Sequence, residues 1–214
     1  MPVLRRAPRT VAVLVAALLA LTAAFATTAA HASLVLFGRI ILITNGNDSG
    51  GLTGSYFEMR DARGALVTNS STNRTYTLLS AGTTGLALLA YTEAASPAFD
   101  RSGNSLTETI IAPTLFDGIR FSVATPRIDP VTRATNDLPS ILVDLATTPA
   151  TILVDLGAWT VYWNNQTFNQ GSRAPTVSLT LGRTTRIVLD WSAPITEGAF
   201  RGFTGNWHIE GTVL

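Results

Sequence analysis

The chain has 214 residues, with no cysteine, two histidines, 46% hydrophobic and 14% charged residues, and a formal net charge of +1. All fifteen of its Lys+Arg residues are arginine, so lysine is absent as well. Without cysteine there is no disulfide framework, thiolate zinc site, iron–sulfur cluster or cysteine nucleophile, and without lysine no P-loop, Ser-x-x-Lys pair or Schiff-base chemistry.

The chain opens with the three parts of a secretory signal. Arg5, Arg6 and Arg9 form a basic region, residues 11–26 are apolar apart from Thr22, and Ala30-His31-Ala32 is a small-x-small cleavage site. The apolar run is shorter than the roughly 20 residues of a membrane helix, so the pattern predicts cleavage after Ala32 and a secreted chain. Processing there leaves residues 33–214 as one β domain and, by removing three arginines, changes the net charge from +1 to −2. The remaining arginines are scattered, which argues against nucleic acid and anionic membrane surfaces as partners. A cysteine-free, arginine-only exported chain suggests a bacterial source.

Beyond that point helical periodicity is nearly absent, and period-two alternation recurs between turn signals. Residues 34–44 form an apolar run that predicts a buried first strand, ended by Asn45-Gly46-Asn47-Asp48-Ser49-Gly50-Gly51. Residues 54–60 alternate, with Ser55, Phe57 and Met59 on one face, and the tight turn Asp61-Ala62-Arg63-Gly64 leads back into residues 65–68 as a hairpin. A short strand follows at 76–80, then a long loop over 81–104 in which 86–91 is either a strand or a helical turn. Strands are predicted at 107–111 and 118–124. Ile141-Leu142-Val143-Asp144-Leu145 recurs as Ile152-Leu153-Val154-Asp155-Leu156, which reads as a hairpin with similar arms. A strand is expected over 159–164, a hairpin over 177–181 and 187–191, and a last strand over 206–213 with Trp207, Ile209, Gly211 and Val213 on one face. About 8–10 short antiparallel strands predict an all-β fold, a β-sandwich or a partly closed β-barrel.

The titratable groups are read through the same alternation. His208 is the only histidine beyond the signal and falls beside Glu210, opposite Trp207 and Ile209. One reading makes it a general base oriented by Glu210 with a serine nucleophile from elsewhere; the plainer one is a solvated strand face. A single histidine excludes a histidine-cluster metal site, and the stretches from Asn45 and Asp100 lack the acidic twelfth residue of a calcium loop, so no metal or cofactor is assigned. Eight of the fourteen acidic residues, Glu58, Glu93, Glu108, Asp144, Asp155, Asp190, Glu197 and Glu210, are candidates for paired-carboxylate chemistry without any of them standing out.

The most unusual local stretch is residues 159–172, with Trp159, Trp163 and five side-chain amides. Aromatic faces and amides suit neutral glycans, since rings stack on sugars and amides both donate and accept. Alternation sends Trp159 and Trp163 to the core and leaves Tyr162, Asn164, Asn165, Gln166 and Phe168 as the ligand-facing rim, with the Gly-rich segment 198–205 as a neighbouring loop. The plainer reading of the amide stretch is a polar loop. The functional expectation is a secreted, non-catalytic binding protein whose partner is a carbohydrate or a cell-surface protein. The alternatives are a carboxylate- or Ser/His-dependent hydrolase and a small outer-membrane barrel, for which the strands look shorter than the roughly 9–11 residues required.

Overall fold

A computed structural model describes residues 33–35, 39–144 and 151–214. The signal-peptide reading falls on residues 1–32, outside the described residues. The fold is all-β, with one short 3₁₀ turn (Gly198–Phe200) as the only helical element among the described residues. Among the described residues every pairing between these strands is antiparallel, in three sheets. None of the described sheets closes into a barrel, which removes the barrel half of the fold expectation. Among the described residues fourteen strands replace the expected 8–10, mainly because several are only two to four residues long.

The smallest sheet has the order β1 (Ser33–Val35), β8 (Ser140–Asp144), β9 (Thr151–Asp155). Its β8–β9 pair is the repeated Ile-Leu-Val-Asp segment folded back on itself, Ile141 opposite Val154 and Val143 opposite Ile152. The single first strand expected over 34–44 is two strands: β1 here, and β2 (Ile40–Ile43) in the largest sheet.

The four-stranded sheet runs β11 (Gln166–Asn169), β10 (Thr160–Trp163), β7 (Ile119–Ala124), β6 (Thr114–Phe116). Two hairpins build it, and each turns on a pair of residues with positive φ. Asp117 (φ 46) and Gly118 (φ 79) join β6 to β7; Asn164 (φ 50) and Asn165 (φ 58) join β10 to β11. Two-residue hairpin loops select this left-handed backbone because it matches the twist of the flanking strands. The segment after Trp163 is therefore a strand, not the polar loop of the plainer reading.

The predicted strand at 107–111 does not form. Its carbonyl oxygens are taken by the preceding loop, with Thr83 N donating to Glu108 O, Gly82 N to Ile110 O, and Thr84 N to Thr109 O at 2.8–3.0 Å. Gly82 makes that approach feasible, since a Cβ there would come within 2.4 Å of Thr109 O.

The largest sheet is built around β14 (Thr204–Val213). One edge of β14 pairs along its full length with β13 (Thr185–Pro194), which in turn pairs with β12 (Thr176–Thr180). The other edge is divided. Thr204 to His208 pairs with β3 (Tyr56–Arg60) and through it with β4 (Tyr76–Leu78), while Gly211 to Val213 pairs with β2 and through it with β5 (Leu86–Ala87). Between the two arms Ser55 Oγ donates to Glu210 O and accepts from Glu210 N, at 3.1 and 3.0 Å.

Alternation in β13 and β14 sends Ile187, Leu189, Trp191, Trp207 and Ile209 inward. Trp191 and Trp207 stack at 5.9 Å, and Trp159 stands edge-on to both at 5.2 and 5.5 Å. Phe57 of β3 and Phe121 of β7 meet at 5.8 Å, joining the largest sheet to the four-stranded one. Each such ring stabilises by about 1.5–3 kcal/mol through burial, and each offset or edge-on pair adds about 0.5–1.5 kcal/mol. The other face of the four-stranded sheet is covered too. The loop over 92–107 lies against it, with Phe99 6.1 Å from Tyr162 and Ser105 Oγ hydrogen-bonded to Ser122 Oγ.

Candidate functional site

The outward face of β3, β14 and β13 carries polar side chains in cross-strand rows. One row is Tyr56, His208, Asp190 and, on β12, Thr176; the next is Glu58, Asn206 and Ser192. Residues directly opposite on antiparallel strands stand about 4.5–5.5 Å apart, so each row forms a continuous strip. The strips floor an open hollow of about 610 Å³ whose lining also includes Ser172, Ala174 and Arg60.

His208 is held by three partners. Its Nδ1 lies 2.6 Å from Asp190 Oδ1 and its Nε2 lies 3.3 Å from Glu210 Oε1. Its ring stacks on Tyr56 at 4.7 Å with 22° between the planes. Glu210 is fixed in turn, because Oε1 also accepts from Gly54 N at 3.1 Å and its backbone is clamped by Ser55. Both ring nitrogens thus face carboxylates. Burial, together with the carboxylates of Glu58, Asp190 and Glu210, pushes the Tyr56 phenol above its ordinary value, so the hydroxyl at the edge of this cluster stays protonated. In the second row Ser192 Oγ donates to Asn206 Oδ1 at 2.7 Å.

A second hollow, of about 330 Å³, meets the first at Ser172 and is lined by Asp129, Asn136, Asp137, Asn169 and Arg173. Burial raises the Asp129 carboxyl, but hydrogen bonds from Thr132 N and Val131 N and from Asn169 Nδ2 outweigh it and hold the carboxyl below its usual range. Arg173 pairs with Asp137 at 2.8 Å across this hollow.

The rim expected from the sequence is brought together as one hairpin, but its rings are covered. Tyr162 is 5% exposed and Phe168 is 7% exposed. Strand alternation does separate Tyr162 from Trp163; both faces of β10 are buried, because the 92–107 loop roofs the side that alternation leaves outward. Phe168 lies opposite Val161 and shares the inward face. Asn164 and Asn165 form the hairpin turn and pack against Gly103, where a Cβ would be 3.0 Å from either side-chain amide. Gln166 Oε1 is buried against Gly198, so the Gly-rich segment does neighbour this hairpin. Trp159 and Trp163 are core residues, 0% and 7% exposed.

Alternation located His208 and Glu210, whereas Asp190 and Tyr56 were out of its reach. They reach His208 from strands 18 and 152 positions away, through a register that a single sequence does not state. The turns at Asn47 and Asp100 are Asx turns: Asn47 Oδ1 accepts from Ser49 N, and the Asp100 carboxylate accepts from Ser102 N and Asn104 N. Among the described residues no group of three or more His, Asp and Glu side chains is placed to hold a metal ion. No described helix is long and apolar enough to cross a membrane. Comparison of the chain with protein-family models, curated proteins and solved structures finds no match.

Proposed function

We propose that this is a secreted, non-catalytic binding protein whose hollow over β3, β14 and β13 receives a hydroxyl-rich ligand of the neutral glycan class. The single observation that carries the reading is the double engagement of His208. A Ser–His–Asp device needs one imidazole nitrogen on the carboxylate and the other on the nucleophile. Here the second nitrogen faces Glu210, so the ring has no nitrogen left to take a proton from a serine. What remains is a fixed array of acceptors and donors on rigid strands. Glu58 and Asp190 accept, Arg60 donates, and Asn206 does both, which is the mixture that sugar hydroxyls satisfy. The hollow's volume falls in the usual range of about 300–1,000 Å³ for small-ligand sites. Packing of the largest sheet against the four-stranded sheet as a β-sandwich, with the aromatic core between them, supplies the rigid support such a site needs.

The test is titration of the protein with soluble polysaccharides and cell-wall fragments, read by the fluorescence of Trp191 and Trp207 beneath the hollow. The expected result is a saturable shift that Asp190→Ala and Asn206→Ala each weaken roughly tenfold, about 1.4 kcal/mol, with circular dichroism unchanged. No response across the panel in folded protein, or polysaccharide turnover lost in His208→Ala, overturns the reading.

A further inference from the structure

The polar face of the largest sheet does not end at His208. The next cross-strand row is Glu210, Val188 and Ser178, and the row after it is Leu42, Thr212, Arg186 and Thr180. These rows carry a third hollow, of about 300 Å³, lined by Thr44, Thr180, Arg186, Val188, Glu210 and Thr212. Alternation fixes the side on which it lies. Ile187, Leu189 and Ile209 turn into the core, so Arg186, Val188 and Glu210 share the face of Asp190 and His208. The polar hollow and the Arg186 hollow therefore stand in line along β13 and β14. The approach of His208 Nε2 to Glu210 Oε1, at 3.3 Å, connects the lining of one to the lining of the other.

The Arg186 hollow adds donors to a face rich in acceptors. Arg186 is exposed and forms no salt bridge among the described residues, and the hydroxyls of Thr44, Thr180 and Thr212 line the same hollow. Arg60, by contrast, commits Nη1 to Gly64 O at 2.9 Å. Along the whole face the carboxylates of Glu58, Asp190 and Glu210 alternate with the guanidinium groups of Arg60 and Arg186, so neither sign of charge dominates. A polyanion meets three carboxylates here and a polycation meets two guanidinium groups, whereas an uncharged chain of hydroxyls finds donors and acceptors along its length. Length selects further. At the rise of a β-strand the face from Asn206 to Thr212 extends about 20 Å, more than one sugar ring covers. A ring held in the polar hollow keeps the rings linked to it close to the Arg186 hollow, which makes the further contact intramolecular and raises affinity.

Resting on the glycan-binding role proposed above, we infer that this face binds a linear neutral polysaccharide along its chain, with the polar hollow and the Arg186 hollow as successive subsites. The probes are cello-, xylo- and β-1,3-gluco-oligosaccharides of one to six units, titrated by calorimetry. The unmodified protein should bind the hexamer of the series it recognises about tenfold or more tighter than the dimer, equivalent to about 1.4 kcal/mol or one to two further net hydrogen bonds. The double variant Arg186→Ala with Thr180→Ala should bring hexamer and dimer affinities together, whereas Asn206→Ala should weaken both. Thr212→Ala supplies the same comparison if the double variant fails to fold. Equal affinity at every length overturns the inference and leaves the glycan-binding role standing. So does a gain with length that persists unchanged in the variants, because it then reflects only the greater number of registers that a longer chain offers to one hollow. Failure of every oligosaccharide and polysaccharide to bind overturns both the inference and the role on which it rests.

Discussion

At the scale of single residues, the ring of Tyr162 shows how a covering loop changes what a strand residue can do. Burial under Phe99, with Glu93 and Asp129 nearby, pushes its phenol up to about 12 from the ordinary 10.0. The unfolded chain therefore releases this proton first as pH rises. Stability supplied by the protonated phenol is complete below pH 10 and is lost progressively toward pH 12, by up to about 2–3 kcal/mol. Urea unfolding across that interval should show the decline, and Tyr162→Phe should flatten the part that belongs to this residue. The inward placement of Trp163, Trp191 and Trp207 was legible in alternation. The burial of Tyr162 was not, because what roofs it is a loop rich in Ser, Thr and Ala whose route no periodicity describes.

At the scale of elements, the turns decided more than the strands did. Asp117-Gly118 is among the strongest short-range hairpin signals, yet Thr114–Phe116 before it is too short to announce itself as a strand. Asn164-Asn165 carries the same signal in a weaker form, and reading it as polar loop concealed β11. The repeated Ile-Leu-Val-Asp arms were legible because their two copies match in length and pattern. The 107–111 segment has the right composition for a strand, but its carbonyls were claimed by Gly82, Thr83 and Thr84. The β6–β7 turn offers a clean measurement. A Cβ at Gly118 meets nothing within 4 Å, so Gly118→Val costs only the strain of a β-branched residue at positive φ. Denaturant unfolding should register a loss of about 1–2 kcal/mol, with less for Gly118→Asn.

At the scale of the whole molecule, β14 holds the site and the core in one piece. Its inward residues, Trp207 and Ile209, belong to the core, and its outward residues Asn206 and His208 belong to the hollow. Gly211 is the point where the second arm joins. A Cβ there would come within 2.4 Å of Ile41 Cγ2 and 2.9 Å of Leu42 O, so β2 packs against bare backbone. Gly211→Val should push that arm away and destabilise by about 1–3 kcal/mol. Tryptophan fluorescence and far-ultraviolet circular dichroism of this variant should still fall in one shared transition at lower denaturant, since one strand joins both arms; two separate transitions would show that the arms fold apart. All-β class and a substantial core could be read from the chain, but the divided edge could not, because it depends on which of many short strands reach β14 and in what register.

That divided edge also sets an order of events. β2 and β3 are made early, whereas the strand that both of them need is the fourteenth, some 150 residues later. A chain emerging in sequence therefore holds its first arms without their neighbour until residues 204–213 arrive, and contacts of such long separation close slowly. The hollow is absent from every shorter intermediate, because His208 and Asn206 complete its rows. The polar rows of this surface are thus complete only once residues 204–213 have paired with both β13 and β3.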